Sequence, residues 1–133
     1  MSDASALPVT AFDTLADYQL HAIGLLTVAT RELMLYEHDF SAIGLESAAG
    51  VTALEAFCLR SAQECALRIL LRTPRFVETQ APRLLRLLQR YGHRINVRLV
   101  RKGATGGDQP FLLNDEGGYV MRFHHDAFRG KTS

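Results

Sequence analysis

The chain has little that would mark it for export, membrane insertion or cofactor chemistry. No apolar run approaches the roughly 18 residues that a membrane-spanning helix needs. The longest, "AIGLLTVA" at 22–29, fits a helix packed in a core instead. The opening "MSDASALPVT" has no basic stretch leading into an apolar one, so no secretory signal is expected and a cytoplasmic location is. Only two cysteines occur, Cys58 and Cys65. Two thiols without an export signal are expected to stay reduced, and they lack zinc-ligand spacing and company. "GATGG" (103–107) is not followed by Lys-Ser or Lys-Thr entering a helix, which excludes a nucleotide phosphate loop. No G-x-S-x-G nucleophile elbow is present. No cofactor and no metal are expected. His124 and His125 would point to opposite faces of a strand, and only a loop could bring them together with Asp126.

Bases are scarce in the first part of the chain and carboxylates are scarce in the middle. Up to Phe57 there are eight carboxylates against Arg31 alone, a balance of −7. From Cys58 to Lys102 there are eleven bases against Glu64 and Glu78, a balance of +9, while the whole chain carries +1. Such asymmetry points either to an anionic partner for segment 58–102 or to pairing of the two parts inside the fold.

What is there reads as one domain. At 133 residues the chain is long enough for a single core. The pattern predicts an α/β domain over 13–128, with a loose arm at 1–12 and a tail at 129–133. Leu15, Tyr18, Ala22, Leu25, Leu26 and Ala29 recur at helical steps, capped by Asp13 or Thr14. "ELMLYEHD" (32–39) reads as a buried strand and "SAIGLESAAG" as a loop, with a second helix over 51–64. "ALRILLRT" (66–73) reads as a strand that Pro74 stops. Pro82 opens a helix that ends at Gly92, with Arg83, Arg86 and Arg90 along its outer row. "RINVRLVR" (94–101) alternates as a strand, and "QPFLLND" and "GYVMRFH" flank "EGG" as a hairpin. Strands alternating with helices predict a mixed, mainly parallel sheet flanked by helices and finished by a C-terminal β-hairpin. A hairpin at the sheet edge would leave Leu112, Val120 and Met121 partly exposed. A dimer could cover them, or the first helix could, through Tyr18, Leu25 and Leu26.

Two constellations could carry chemistry. Ligands of open α/β sheets sit beyond the carboxyl ends of the strands, and one such end here reads Glu37-His38-Asp39, an acid–base cluster or an ordinary loop. The second is a row of guanidinium groups. Arg68 and Arg72 share a face of one strand, Arg94, Asn96 and Arg98 a face of the next, and Arg122 and His124 a face of the last. If those faces coincide, Arg68, Arg72, Arg98 and Arg122 would line one side of the sheet and bind phosphate or carboxylate. No aromatic interleaving points to base stacking, so nucleic acid is possible rather than favoured.

The order of segments resembles one half of a phospholipase D-like domain of the short bacterial type. The stretches that carry the resemblance are "ATRELMLYEHDF" (29–40), "ALRILLRTP" (66–74), "RLLRLLQRYGHRINVRLV" (83–100) and "DQPFLLNDEGGYVMRF" (108–123). In active members the last stretch carries H-x-K-x-x-x-x-D, whose His attacks a phosphodiester while its Lys stabilises the phosphate. Placing Asp115 on the motif's final Asp puts Asp108 at the His position and Pro110 at the Lys position. A carboxylate repels the substrate and proline has no side-chain donor. The resemblance therefore implies a non-catalytic domain that acts by binding a phosphate-bearing ligand or by assembly. A single half implies a homodimer, or docking onto another protein, with no membrane partner. Two alternatives stand beside it. One is a phosphate-ester enzyme using His38, His93 or His124 with the arginines, and the other is a nucleic-acid-binding module using segment 58–102.

Overall fold

The computed structural model describes residues 9–61, 66–100, 109–124 and 128–133. Its elements run β1 (Thr10–Phe12), α1 (Leu15–Val28), β2 (Leu33–Glu37), α2 (Ala48–Arg60), β3 (Leu67–Leu71), α3 (Arg75–Gln80), α4 (Pro82–Arg90), β4 (Ile95–Leu99), β5 (Phe111–Asn114), β6 (Tyr119–Arg122) and β7 (Gly130–Thr132). The strands form one sheet in the order β1-β7-β6-β5-β2-β3-β4. The chain is thus a single mixed α/β domain.

Local sequence explains most boundaries. Thr14 caps α1 by accepting the Asp17 N–H at 3.1 Å. Ser47 caps α2 by accepting from the Gly50 N–H at 3.0 Å, so the helix starts three residues earlier than the apolar spacing predicts. It ends at Arg60, short of the predicted 64. Pro82 stands in the first turn of α4, where a missing N–H costs nothing. The free N–H groups of Arg83 and Leu84 instead meet the Glu46 carboxylate at 3.2 and 2.9 Å, a favourable charge for a helix N-terminus. Helix α3 has no counterpart in the sequence pattern, because six residues between two prolines are too few to show a period.

Three expectations are corrected. Only β2–β3 and β3–β4 are parallel, whereas β2–β5, β5–β6, β6–β7 and β1–β7 are antiparallel, so the sheet is mixed and not mainly parallel. The sheet extends beyond 13–128, since β1 and β7 pair with each other and β7 with β6. Three-residue strands built on Gly130 and Lys131 have no legible alternation, yet Phe12 is buried and stacks on Tyr18 with ring centroids 5.7 Å apart. The hairpin β5–β6 lies inside the sheet, between β2 and β7, and the edges are β1 and β4. Leu112 and Val120 are fully buried there. The first helix provides the cover, since α1 packs on β5 and β6.

The core has one side. Leu33, Leu35, Leu67, Ile69, Leu71, Ile95, Leu112 and Val120 form a single apolar cluster with Leu25 and Leu26 of α1, Leu54 and Phe57 of α2, and Leu84 and Leu87 of α4. All these strand residues share one face of the sheet, by register and the period-two rule. The other face, carrying Met34, Arg68, Leu70, Arg98 and Leu113, contributes nothing to that cluster. No helix among the described residues is long and apolar enough to cross a membrane.

Candidate anion-binding face

The register aligns the outward side chains of the sheet into two rows. One reads Lys131, Met121, Phe111, Tyr36, Leu70, Arg98 across β7, β6, β5, β2, β3 and β4. The second reads Tyr119, Leu113, Met34, Arg68, Asn96. Met34, Leu70 and Leu113 remain 39, 38 and 40% exposed, although parallel strands such as β2 and β3 are ordinarily covered on both faces. Cations border this apolar floor. Arg68 reaches Glu32 at 2.7 Å, a solvent-exposed pair. Arg72 follows β3 and donates Nε–H to the Tyr36 hydroxyl at 2.7 Å. Arg98 donates to the Asn96 side-chain carbonyl at 3.2 Å and has no carboxylate partner among the described residues. A shallow groove of about 290 Å³ runs between Met34, Arg68, Leu70, Asn96 and Arg98. A larger groove between α1 and α2, of about 520 Å³, is lined by small residues such as Ala49, Thr52 and Ala56. Its one charged group, Arg60, is tied to the Ala29 and Leu26 carbonyls at the end of α1.

Of the four arginines that the alternation groups together, Arg68 and Arg98 line one groove on the sheet face, and Arg72, beyond the end of β3, reaches Tyr36. Arg122 is corrected: it points to the packed side, because β6 shares its register with β5 and Val120 and Arg122 have the core parity. There its Nη2 meets Glu37 Oε1 at 2.8 Å. The Tyr18 hydroxyl donates to the other Glu37 oxygen, and the Arg122 guanidinium lies 4.9 Å from the Tyr18 ring centroid. All three side chains are buried. Burial pushes the Glu37 carboxyl up, against the opposing pull of Arg122, Tyr18 and the His38 N–H. Burial, reinforced by Glu37, holds the Tyr18 hydroxyl well above its ordinary value. Sequence reasoning misses the trio, although a signal for it exists. Glu37 has the parity of Leu33 and Leu35, Arg122 that of Val120, and two opposite charges at core positions call for each other.

The two carboxylates of Glu37-His38-Asp39 have separate partners. Glu37 turns inward, while Asp39 accepts from the Ser41 N–H and hydroxyl at 2.9 and 2.6 Å. The His38 carbonyl accepts from the backbone of Arg72 and Thr73 at 3.1 Å, bridging the ends of β2 and β3. Among the described residues no group of three or more His, Cys, Asp or Glu side chains could hold a metal ion. His125, Asp126, Cys65 and Asp108 lie outside the described residues. Cys58 lies in the core cluster, and burial pushes its thiol up to about 11.

Pro110 and Asp115 stand at opposite ends of β5. The Pro110 carbonyl accepts the Arg122 N–H at 2.9 Å. Asp115 instead accepts from the Glu32 and Arg31 backbone N–H groups at 3.2 and 3.3 Å and from Arg31 Nε at 3.2 Å. Desolvation of its carboxyl works against ionisation, yet these donors prevail and hold it at about 2. Asp115 fastens the hairpin to the entrance of β2.

Comparison with known proteins places the chain in a family. Residues 14–133 match the profile of "Domain of unknown function (DUF7931)". The chain belongs to the DUF7931 family. No curated protein matches it. Among solved structures the DUF7931 chain is similar to that of TrmBL2, described as "an archaeal chromatin protein" that "shows a novel mode of DNA binding", with a TM-score of 0.64 and 18% identity. The match covers 95% of this chain and 44% of the other, so the chain spans less than half the length of that protein. At that identity the likeness is one of fold.

Proposed function

We propose that this DUF7931 chain is a non-catalytic, phospholipase D-like domain that recognises anionic groups on its open sheet face. The observation that carries the reading is the pairing of Arg68 and Arg98 along one groove beside the apolar floor of Met34 and Leu70, on a face that none of the described helices covers. Guanidinium groups beside an apolar surface are weakly hydrated and form strong paired hydrogen bonds to carboxylate or phosphate. Pro110 in place of a lysine, and the dispersal of Glu37, His38 and Asp39 to separate structural contacts, support binding over turnover. A second copy of the chain or another protein could present the anion, which keeps homodimer formation and docking within the same reading.

A second reading has its own support. Arg83, Arg86 and Arg90 stand exposed on α4, and TrmBL2, the protein of similar fold, binds DNA. Nucleic acid would then lie along α4, although Arg90 already reaches Glu55 at 3.4 Å. Retention on immobilised heparin separates the two, using Arg68→Glu/Arg98→Glu and Arg83→Glu/Arg86→Glu, which change net charge equally. The sheet-face reading expects the first pair to elute at much lower salt than the second. Equal elution of both pairs would contradict it, and loss in the α4 pair alone would favour the nucleic-acid reading.

A further inference from the structure

The open face offers more than charge, and its pattern narrows the partner. From Met121 on β6 to Leu70 on β3 the first row spans three strand spacings, roughly 14 Å at the usual separation, with Phe111 and the buried Tyr36 ring between them. Cations stand at both of its ends, Lys131 on β7 and Arg98 on β4. The carboxylates at the entrance of β2 are already engaged, Glu32 by Arg68 and Asp115 by Arg31. A second copy of the chain fits this surface poorly. Packed face to face about a two-fold axis, it would bring the cationic row ends of the two copies together. Base stacking fits poorly too, because Tyr36 is buried against Phe111 and the exposed floor is aliphatic. Methionine and leucine floors suit apolar side chains of a protein segment.

Resting on the anion-recognition reading above, we propose that the face docks an acidic amphipathic helix of a partner protein. Its apolar stripe would lie on Met34, Leu70, Leu113 and Met121, with carboxylates at the stripe's margins reaching Arg98, and Arg68 in exchange for its exposed pair with Glu32. Three turns of helix cover about 16 Å, which matches the width of the row.

The test uses the whole chain and three labelled probes. They are a leucine–glutamate peptide of about 18 residues with leucines at helical spacing, a scrambled peptide of the same composition, and single-stranded oligothymidine. Fluorescence anisotropy at physiological salt is expected to show the amphipathic peptide binding at least about tenfold more tightly than the other two. Arg98→Glu, and separately Met34→Asp, should each weaken it by about tenfold or more, while Arg86→Glu on α4 leaves it unchanged. Thermal melts confirm that these surface variants remain folded. Equal binding of both peptides, still sensitive to Arg98→Glu, would overturn the helix proposal and leave anion recognition standing. Tightest binding of oligothymidine, insensitive to Met34→Asp, would also overturn it. Binding of no probe would overturn both.

Discussion

The guanidinium of Arg122 meets the carboxylate of Glu37 at 2.8 Å in the interior, although 85 positions separate them in the chain. The contact joins the carboxyl end of β2 to that of β6, with Tyr18 of α1 covering it. The trio packs the carboxyl ends of these two strands against the first helix.

Breaking that trio from one side should be costly. Arg122→Met leaves a buried carboxylate without its counter-charge, and a loss of about 3–5 kcal/mol is expected. The triple variant Tyr18→Phe/Glu37→Leu/Arg122→Met should recover most of it, because it removes the three buried polar side chains together and leaves only the His38 N–H without its acceptor. Urea unfolding of both measures this. A triple variant no more stable than the single would show that the trio contributes more than mutual neutralisation.

Alkaline stability depends on Tyr18. Burial and then the Glu37 carboxylate hold its hydroxyl well above the ordinary value of about 10. An acid whose folded pKa is raised keeps its proton more firmly in the fold than in the unfolded chain. Its contribution is therefore complete below about pH 10 and is lost as pH climbs above it. Melting temperatures should fall more steeply above about pH 10 in the wild type than in Tyr18→Phe. Parallel decline would assign the alkaline sensitivity elsewhere.

Asp115 behaves in the opposite sense. Its folded pKa lies at about 2, below the unfolded value of about 3.9, so its contribution is present above that value and is lost as pH falls towards 2. Asp115→Ala should cost on the order of 1–3 kcal/mol at pH 7, and the gap to the wild type should close in acid. Denaturant titrations at neutral pH and below about pH 3 test this, and a gap that persists unchanged would contradict it.

Two glycines should respond oppositely to alanine. A Cβ on Gly130 would stand 1.9 Å from the Met121 carbonyl oxygen and 2.6 Å from the Phe12 ring, so Gly130→Ala must displace β7 or Phe12. A loss of about 1–3 kcal/mol is expected. Gly24 lies within α1 with nothing within 4 Å of such an atom. There alanine should add about 0.5–1 kcal/mol through helix propensity. Thermal unfolding of the two variants compares them directly, and destabilisation by Gly24→Ala would show a packing role that the open space does not suggest.

How far the sequence can be read depends on the strength of each local signal. Helices α1 and α4 and strands β2 to β6 are legible because their period or flanking prolines are strong. The terminal strands are not, since three residues cannot show a period and their pairing spans almost the whole chain. The sheet's direction is misjudged because the alternation of helices and strands stops at β4, and the remaining strands return antiparallel. Period two places Arg68 with Leu70, and Arg98 with Asn96, but parity within one strand says nothing about the next, and the β3–β4 register is what puts Arg68 and Arg98 on a common face. Only the register shows that Arg122 faces Tyr18. The charge asymmetry resolves partly inside the fold, through Glu32–Arg68, Glu55–Arg90 and the capping of α4 by Glu46.

The most direct test of the central claim is an amide NMR titration of the full chain with polyglutamate at physiological salt. Recognition on the open face predicts the largest saturable shifts in β3 and β4, around Arg68, Leu70 and Arg98, with α4 little changed. Shifts confined to Arg83, Arg86 and Arg90, or small shifts spread over all basic residues without saturation, would contradict it.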